Sequence, residues 1–184
     1  MIPFPDKKYQ IIYADPPWNG LGWNNGSGLK CPANHYEVQD IDWIKSLPVK
    51  NIASKNCALF LWVTFPNLKA GFDVISRWGF EYSTCAFNWV KKNIKKDTFF
   101  MGCGNYTRAN SELCLLGTRG SMQKTVKSHA VRQVCDARRE RHSKKPDEIR
   151  DRITELFGDL PRIELFARQK TEGWDVWGNE VQGI

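Results

Sequence analysis

Histidine is scarce in this 184-residue chain, with three copies, and the six cysteines include no C-x-x-C pair. Cys31, Cys57, Cys85, Cys103, Cys114 and Cys135 are scattered with no histidine array beside them. That argues against a zinc site or a disulfide framework and reads as reduced thiols. The opening Met1-Ile2-Pro3-Phe4-Pro5 lacks the charged start and apolar run of a secretory leader, and no apolar stretch approaches membrane-spanning length. Gly102-Cys103-Gly104 lacks the third glycine and the strand–helix setting of a dinucleotide fingerprint. No repeat, low-complexity segment or internal boundary interrupts the sequence. One domain over residues 1–184 is expected, soluble, intracellular and cytoplasmic.

Aromatic side chains and positive charge are present in quantity. Most of the eight Trp, ten Phe and five Tyr are needed to fill a core, while some are available for stacking on bases. The net charge of +7 fits a polyanionic partner held through its phosphates.

Gln10-Ile11-Ile12-Tyr13-Ala14 is a short apolar run that predicts a buried strand. Pro16 and Pro17 have no N–H for a ladder, so the strand ends at Asp15 and a stiff turn delivers Trp18. An acid at a strand's carboxyl end sits where open α/β sheets bind ligands. The plainer alternative is a Pro-Pro turn with an exposed carboxylate. Residues 19–28, dominated by Gly and Asn, predict a loop suited to a lid, closed by His35-Tyr36. Asp40 starts a short amphipathic stretch with Ile41, Ile44 and Leu47 on one face, ended by Pro48. Residues 58–63 predict the clearest buried strand in the chain. Pro66 opens a helix with Leu68, Phe72, Ile75 and Trp78 near helical spacing, stopped by Gly79, and residues 82–90 form a further strand. This alternation predicts an α/β sheet with helices on its faces.

Residues 91–110 break the rhythm, with Lys91, Lys92, Lys95, Lys96 and Arg108 interleaved with Phe99, Phe100 and Tyr106. They form either a groove for single-stranded or flipped nucleic acid or a solvated basic loop with aromatics tucked inward. Residues 112–117 predict a strand with Glu112 at its start, and residues 131–136 another. The basic run 138–145 is either a solvated face or a grip on phosphates. Pro146, with Asp147 and Glu148 in the first turn, starts a helix through Phe157 whose apolar face is Ile149, Ile153, Leu156 and Phe157. Residues 162–168 predict the last strand. Glu164 in its middle either accepts from a ribose diol or pairs at the surface with Arg162 or Arg168. Trp174, Trp177, Gly178 and Asn179 predict an ordered tail.

Asp15-Pro16-Pro17-Trp18 at a strand end matches the Asp-Pro-Pro-aromatic signature of amino-group methyltransferases acting on nucleic-acid bases. Leu59-Phe60-Leu61-Trp62-Val63, Trp78-Gly79-Phe80, Trp89-Val90-Lys91, Lys145-Pro146-Asp147-Glu148, Ile163-Glu164-Leu165-Phe166 and Gly178-Asn179 follow it. They recur in that order in the MT-A type of adenine-N6 methyltransferase, whose eukaryotic members include the catalytic subunit of the messenger-RNA adenosine methylation complex. The chain resembles the compact bacterial and phage form of that family over nearly its whole length. The resemblance implies a Rossmann-like S-adenosylmethionine-dependent methyltransferase fold of permuted order, target motif before cofactor motif, with both sites on the carboxyl edge of the sheet.

Adenine's exocyclic amine is a poor nucleophile because its lone pair is delocalised into the ring. Two rigid acceptors for its N–H groups draw it toward tetrahedral geometry, and Asp15 and the Pro16 carbonyl suit that task, with Pro17 stiffening the turn. Trp18 would offer a face for the extruded base. The implied donor is S-adenosylmethionine, already activated, so no metal is needed. By resemblance, Glu164 and Arg168 hold the donor's ribose, with Asp15 and Phe166 bordering the same site. Asn179 and Glu180 lie along ribose and adenine, and Lys145 contacts the methionine carboxylate or bridges donor and substrate. Tyr36 and Glu112 line the target-base pocket, and Lys144 and Lys145 meet the nucleic acid.

Two features depart from the eukaryotic pattern. Fourteen residues precede Asp15, too few for the upstream Asp-Ile pair, which leaves the 2–6 segment to complete the donor-adenine pocket. Gln169-Lys170 stand where the eukaryotic form has Pro and His. The reaction expected is methyl transfer to the N6 amine of adenine in DNA. The alternatives are the same reaction on RNA, an inactive nucleic-acid-binding partner subunit, and cytosine-N4 or glutamine methylation. The partners expected are a nucleic acid presenting a flipped-out or single-stranded adenine, no membrane, and either a second copy or a partner subunit.

Overall fold

The computed structural model describes residues 3–18, 40–104, 106–140 and 144–181. Within them, β1 (Tyr9–Ala14), β2 (Ala53–Val63), β3 (Glu81–Val90), β4 (Ser111–Arg119), β5 (Val134–Cys135), β6 (Arg162–Leu165) and β7 (Asp175–Trp177) form one sheet. Its order is β5-β3-β4-β2-β1-β6-β7. β1 is parallel to β2 and β6, β6 to β7, and β3 to β5. β4 is antiparallel to both neighbours, β2 and β3, so it alone opposes the common direction of these strands. The start of β4 therefore lies at the edge where the others end, and Glu112 is level with Trp89 near the end of β3.

Ile11, Ile12, Tyr13 and Ala14 of β1 are all buried, which requires cover on both faces of the sheet. Asp40 caps α1 (Ile41–Ser46) by accepting the Asp42 N–H, and α2 (Leu68–Arg77) ends where Gly79, at φ 84°, turns the chain into β3. Ile44 and Leu47 of the α1 region and Val74 and Ile75 of α2 pack on Ile12, Leu59 and Leu61. On the opposite face, Ile149, Ile153 and Phe157 of α3 (Glu148–Phe157) pack on Ile11, Tyr13, Phe60 and Trp62. This is the Rossmann-like α/β layering that the sequence predicts.

Several boundaries differ from the expected ones. Phe166 adopts φ 61°, a left-handed conformation that ends β6 at Leu165 rather than Arg168. The tail is itself a strand, β7, added to the sheet's edge. Residues 131–136 supply only the two-residue β5, because only Asn88 and Trp89 of β3 pair with it. Phe72 is 38% exposed and meets Tyr82 edge-on at 4.8 Å instead of entering the core.

Candidate active site

Past Ala14, the Pro16 carbonyl accepts the Trp18 backbone N–H at 2.8 Å and closes a tight turn. That bond uses one of the two carbonyl lone pairs and leaves the second available. The Trp18 ring turns into the core and is only 6% exposed, and its Nε1–H donates to the Trp62 carbonyl at 2.8 Å. The expected open stacking face is therefore corrected. Trp18 is the anchor that pins the Pro-Pro turn to β2, and its burial follows from the apolar cluster beneath the turn.

Opposite Asp15, the segment entering α3 supplies Lys145. Its Nζ donates to Asp15 Oδ2 at 2.7 Å and lies 3.3 Å from Glu112 Oε2. Lys91, just past β3, donates to Glu112 Oε1. Four groups thus alternate in sign: Asp15, Lys145, Glu112, Lys91. Lys145 lies over the Trp62 ring at 5.5 Å and Lys91 over Trp89 at 5.1 Å, and the two indoles meet edge to face. Trp62 is held in turn by donating to the Tyr13 hydroxyl at 2.7 Å. This aromatic floor excludes water and strengthens each pairing above it.

Burial pushes the Asp15 carboxyl above its ordinary value, and the attraction of Lys145 does not cancel the rise. Burial would raise Glu112 as well, but Lys145 and Lys91 outweigh it and hold Glu112 low. For Lys145, burial favours losing the proton, while Asp15 and Glu112 more than offset that and keep the ammonium charged. The two carboxyls are thus shifted in opposite directions, Asp15 up and Glu112 down.

The ends of β6 and β7 meet beside Asp15. The Ala167 N–H donates to the Trp177 carbonyl at 3.0 Å. A Cβ on Gly178 would lie 2.4 Å from the Ala167 carbonyl oxygen, so this approach requires glycine. Arg168 Nε is 3.4 Å from Glu180, with Asn179 exposed next to it. Phe166 packs edge-on against Trp177 and tilted against Trp43. Phe4 stacks on Trp177 with centroids 4.5 Å apart, so the N-terminal segment reaches this end of the sheet.

Glu164 is not the surface pair that was one of its two expectations. Arg150 Nε and Nη2 donate to its two oxygens at 2.7 and 2.8 Å, a buried fork over which Tyr13 lies. Neither Arg162 nor Arg168 is its partner, which corrects the surface-pair reading, while Arg150 takes one lone pair of each oxygen and leaves the other as an acceptor. The cause is topological, because β6 turns Glu164 toward α3. Lys144 pairs with Glu140 and Asp147, so this part of the basic run is locally neutralised. Tyr36, the 19–36 loop and Arg141-His142-Ser143 lie outside the described residues.

Asp15, Pro16, Pro17, Glu112, Lys145, Phe166, Arg168, Asn179 and Glu180 thus gather at one edge, while Trp18 and Glu164 support it from within. Sequence placed Lys91 in a candidate nucleic-acid groove and Trp62 and Trp89 in family motifs but gave none of them a role in the site, and Arg150 was not singled out. Lys91 and Glu112 are 21 residues apart, a separation with no local signature.

A family model described as MT-A70 matches residues 9–180. The chain is 33% identical over 192 residues to the Type II methyltransferase M.MunI of Mycoplasma sp, covering 96% of this chain and 79% of that protein. It is 29% identical over 183 residues to the N(6)-adenosine-methyltransferase catalytic subunit METTL3 of Homo sapiens, covering 96% and 29%. It is 28% identical over 182 residues to a putative N(6)-adenosine-methyltransferase MT-A70-like protein of Medicago truncatula, covering 96% and 27%. The chain spans most of the first relative and less than a third of the other two.

Proposed function

The chain belongs to the MT-A70 family, and we propose that it transfers a methyl group from S-adenosylmethionine to the N6 amine of adenine in DNA. One observation carries this reading. The Asp15 carboxylate, with Lys145 on Oδ2 alone, stands beside the Pro16 carbonyl at the end of β1. Asp15 Oδ1 and the second lone pair of Pro16 accept the two amine N–H groups and draw the nitrogen toward tetrahedral geometry.

The donor's chemistry fits the residues where β1, β6 and β7 end. Arg168, Asn179 and Glu180 offer hydrogen bonds to a ribose and a purine, and the Asp15 carboxylate suits a nearby sulfonium. When bound, S-adenosylmethionine supplies a methyl carbon whose bond to sulfur breaks as the bond to N6 forms. The surplus amine proton passes to Asp15, whose carboxyl burial holds above its ordinary value. Glu112 keeps Lys145 charged, and Lys145 keeps Asp15 aimed. Glu164 holds Arg150 beneath β1 and keeps an acceptor lone pair on each oxygen for a ribose hydroxyl.

A relative of comparable length is a Type II methyltransferase, which favours DNA; adenosine methyltransferases among the much longer relatives favour RNA as the second reading. Tritiated methyl transfer to sequence-matched DNA and RNA oligonucleotides separates the two. Incorporation into DNA is expected, and incorporation into RNA alone overturns the choice.

A further inference from the structure

Beyond β3 the chain continues through Lys91 and Lys92, and two distant segments are tied to it. Phe100 N–H donates to the Lys91 carbonyl at 2.7 Å, and Arg139 N–H donates to the Lys92 carbonyl at 3.1 Å. These bonds bring the Arg139 guanidinium face-on over Phe100, its central carbon 3.4 Å from the ring centroid. Stacking fixes the plane of the guanidinium.

Arg139, like Arg138 before it, lacks the acid that several neighbouring lysines have among the described residues. Lys91 pairs with Glu112, Lys92 with Asp97 and Asp136, Lys144 with Glu140 and Asp147, and Lys145 with Asp15. Among the described residues no carboxylate forms a salt bridge with Arg139, although Glu140 follows it directly in the chain. Among the described residues Arg139 Nε is buried without a hydrogen-bond partner, so the edge left to meet a ligand is the one carrying the two Nη groups. A guanidinium held flat and uncompensated presents a planar fork to an anion with two oxygens. Its backbone neighbour is Lys92, next to the Lys91 that meets Glu112, so the fork stands beside the site rather than on a remote face.

We propose that Arg139, stacked on Phe100, is a binding site for a backbone phosphate of the nucleic acid, one flanking the nucleotide whose adenine reacts. This rests on the nucleic-acid reading given above. The local charge supports a phosphate over a base edge, because an uncompensated cation gains most from a full negative charge.

The test is binding of a fluorescently labelled, single-stranded, adenine-containing oligodeoxynucleotide, read by anisotropy over a salt series. It compares the native chain with Arg139→Gln, Arg139→Lys and Phe100→Leu, each checked for native far-UV circular dichroism. Arg139→Gln should weaken Kd by roughly tenfold and reduce the slope of log Kd against log salt by about 0.7, the share of one phosphate on a single strand. Arg139→Lys should keep the slope but lose part of the affinity, since it has the charge without the fork. Phe100→Leu should fall between, because the charge remains and its plane is released. Three results overturn the proposal: an unchanged Kd and slope in Arg139→Gln, no binding by the native chain, or an altered preference for the flanking base with the slope intact. Methyl transfer on the same samples is a separate readout. Binding that depends on Arg139 without any transfer would sink the adenine-methylation reading and leave the phosphate site standing.

Discussion

Replacing Lys145 with Met interrupts the alternating charges at their centre. Methionine retains an unbranched stem over Trp62 and removes the ammonium. Asp15 and Glu112, which Lys145 approaches to 2.7 and 3.3 Å, then share a site in which the lysine itself was 8% exposed. Removing one partner of a buried ion pair costs about 3–5 kcal/mol. The Asp15 side chain is 24% exposed and Glu112 keeps Lys91, so the lower end, about 3 kcal/mol, is expected near neutral pH. With a urea m-value of about 2 kcal/mol/M, the unfolding midpoint should fall by roughly 1.5 M. The deficit should also depend on pH. Asp15 already has a folded carboxyl raised above 3.8, and losing Lys145 raises it further. A raised carboxyl contributes stability below its unfolded pKa and loses it as pH rises through the folded value. The gap between native chain and variant should therefore widen as pH rises from the carboxylate range toward neutrality. Glu112 in the native chain has the opposite sign. Its lowered carboxyl stabilises above 4.5, and that contribution fades as pH falls. Urea unfolding followed by tryptophan fluorescence at both ends of this range decides the matter. A loss below about 1 kcal/mol, or the same loss at both pH values, would refute the reasoning.

Trp18→Phe keeps an aromatic ring but leaves the Trp62 carbonyl without its indole donor. Stability should fall by about 1–3 kcal/mol, and methyl transfer should fall with it; full activity would restore Trp18 as a stacking face. Gly178→Ala forces a Cβ to within 2.4 Å of the Ala167 oxygen, so the ends of β6 and β7 must separate. Overpacking of this kind costs about 1–3 kcal/mol. Calorimetry should show weaker S-adenosylmethionine binding, and undiminished affinity would contradict a donor site between Arg168 and Asn179.

Sequence patterning anticipated the elements that carry strong local signals. β1 and the second half of β2 are continuous apolar runs, and α2 and α3 have apolar spacing bounded by Pro66, Gly79, Pro146 and Gly158. β7 escaped because Asp175-Val176-Trp177 is too short to show a period, and its strand character comes from pairing with β6. The reversed direction of β4 has no local signature either, yet it is what delivers Glu112 to the edge beside Asp15 and Lys145. Asp15 and Lys145 were legible as site residues through motifs, but their mutual hydrogen bond spans 130 positions. Glu164 shows the limit most clearly. Its strand was recognisable, but its partner Arg150 is set by how α3 crosses the sheet. Trp18 was visible as an aromatic after two prolines, while its orientation depended on the Trp62 carbonyl below.

The most direct test identifies the product. A DNA oligonucleotide incubated with S-adenosylmethionine and either the native chain or Asp15→Ala is digested to nucleosides and analysed by mass spectrometry. The native chain should yield N6-methyladenine, and Asp15→Ala should yield none while still binding the donor. Methylated cytosine from the native chain, or equal N6-methyladenine from both proteins, would contradict the assignment of Asp15 and the Pro16 carbonyl as the acceptors that activate adenine's amine.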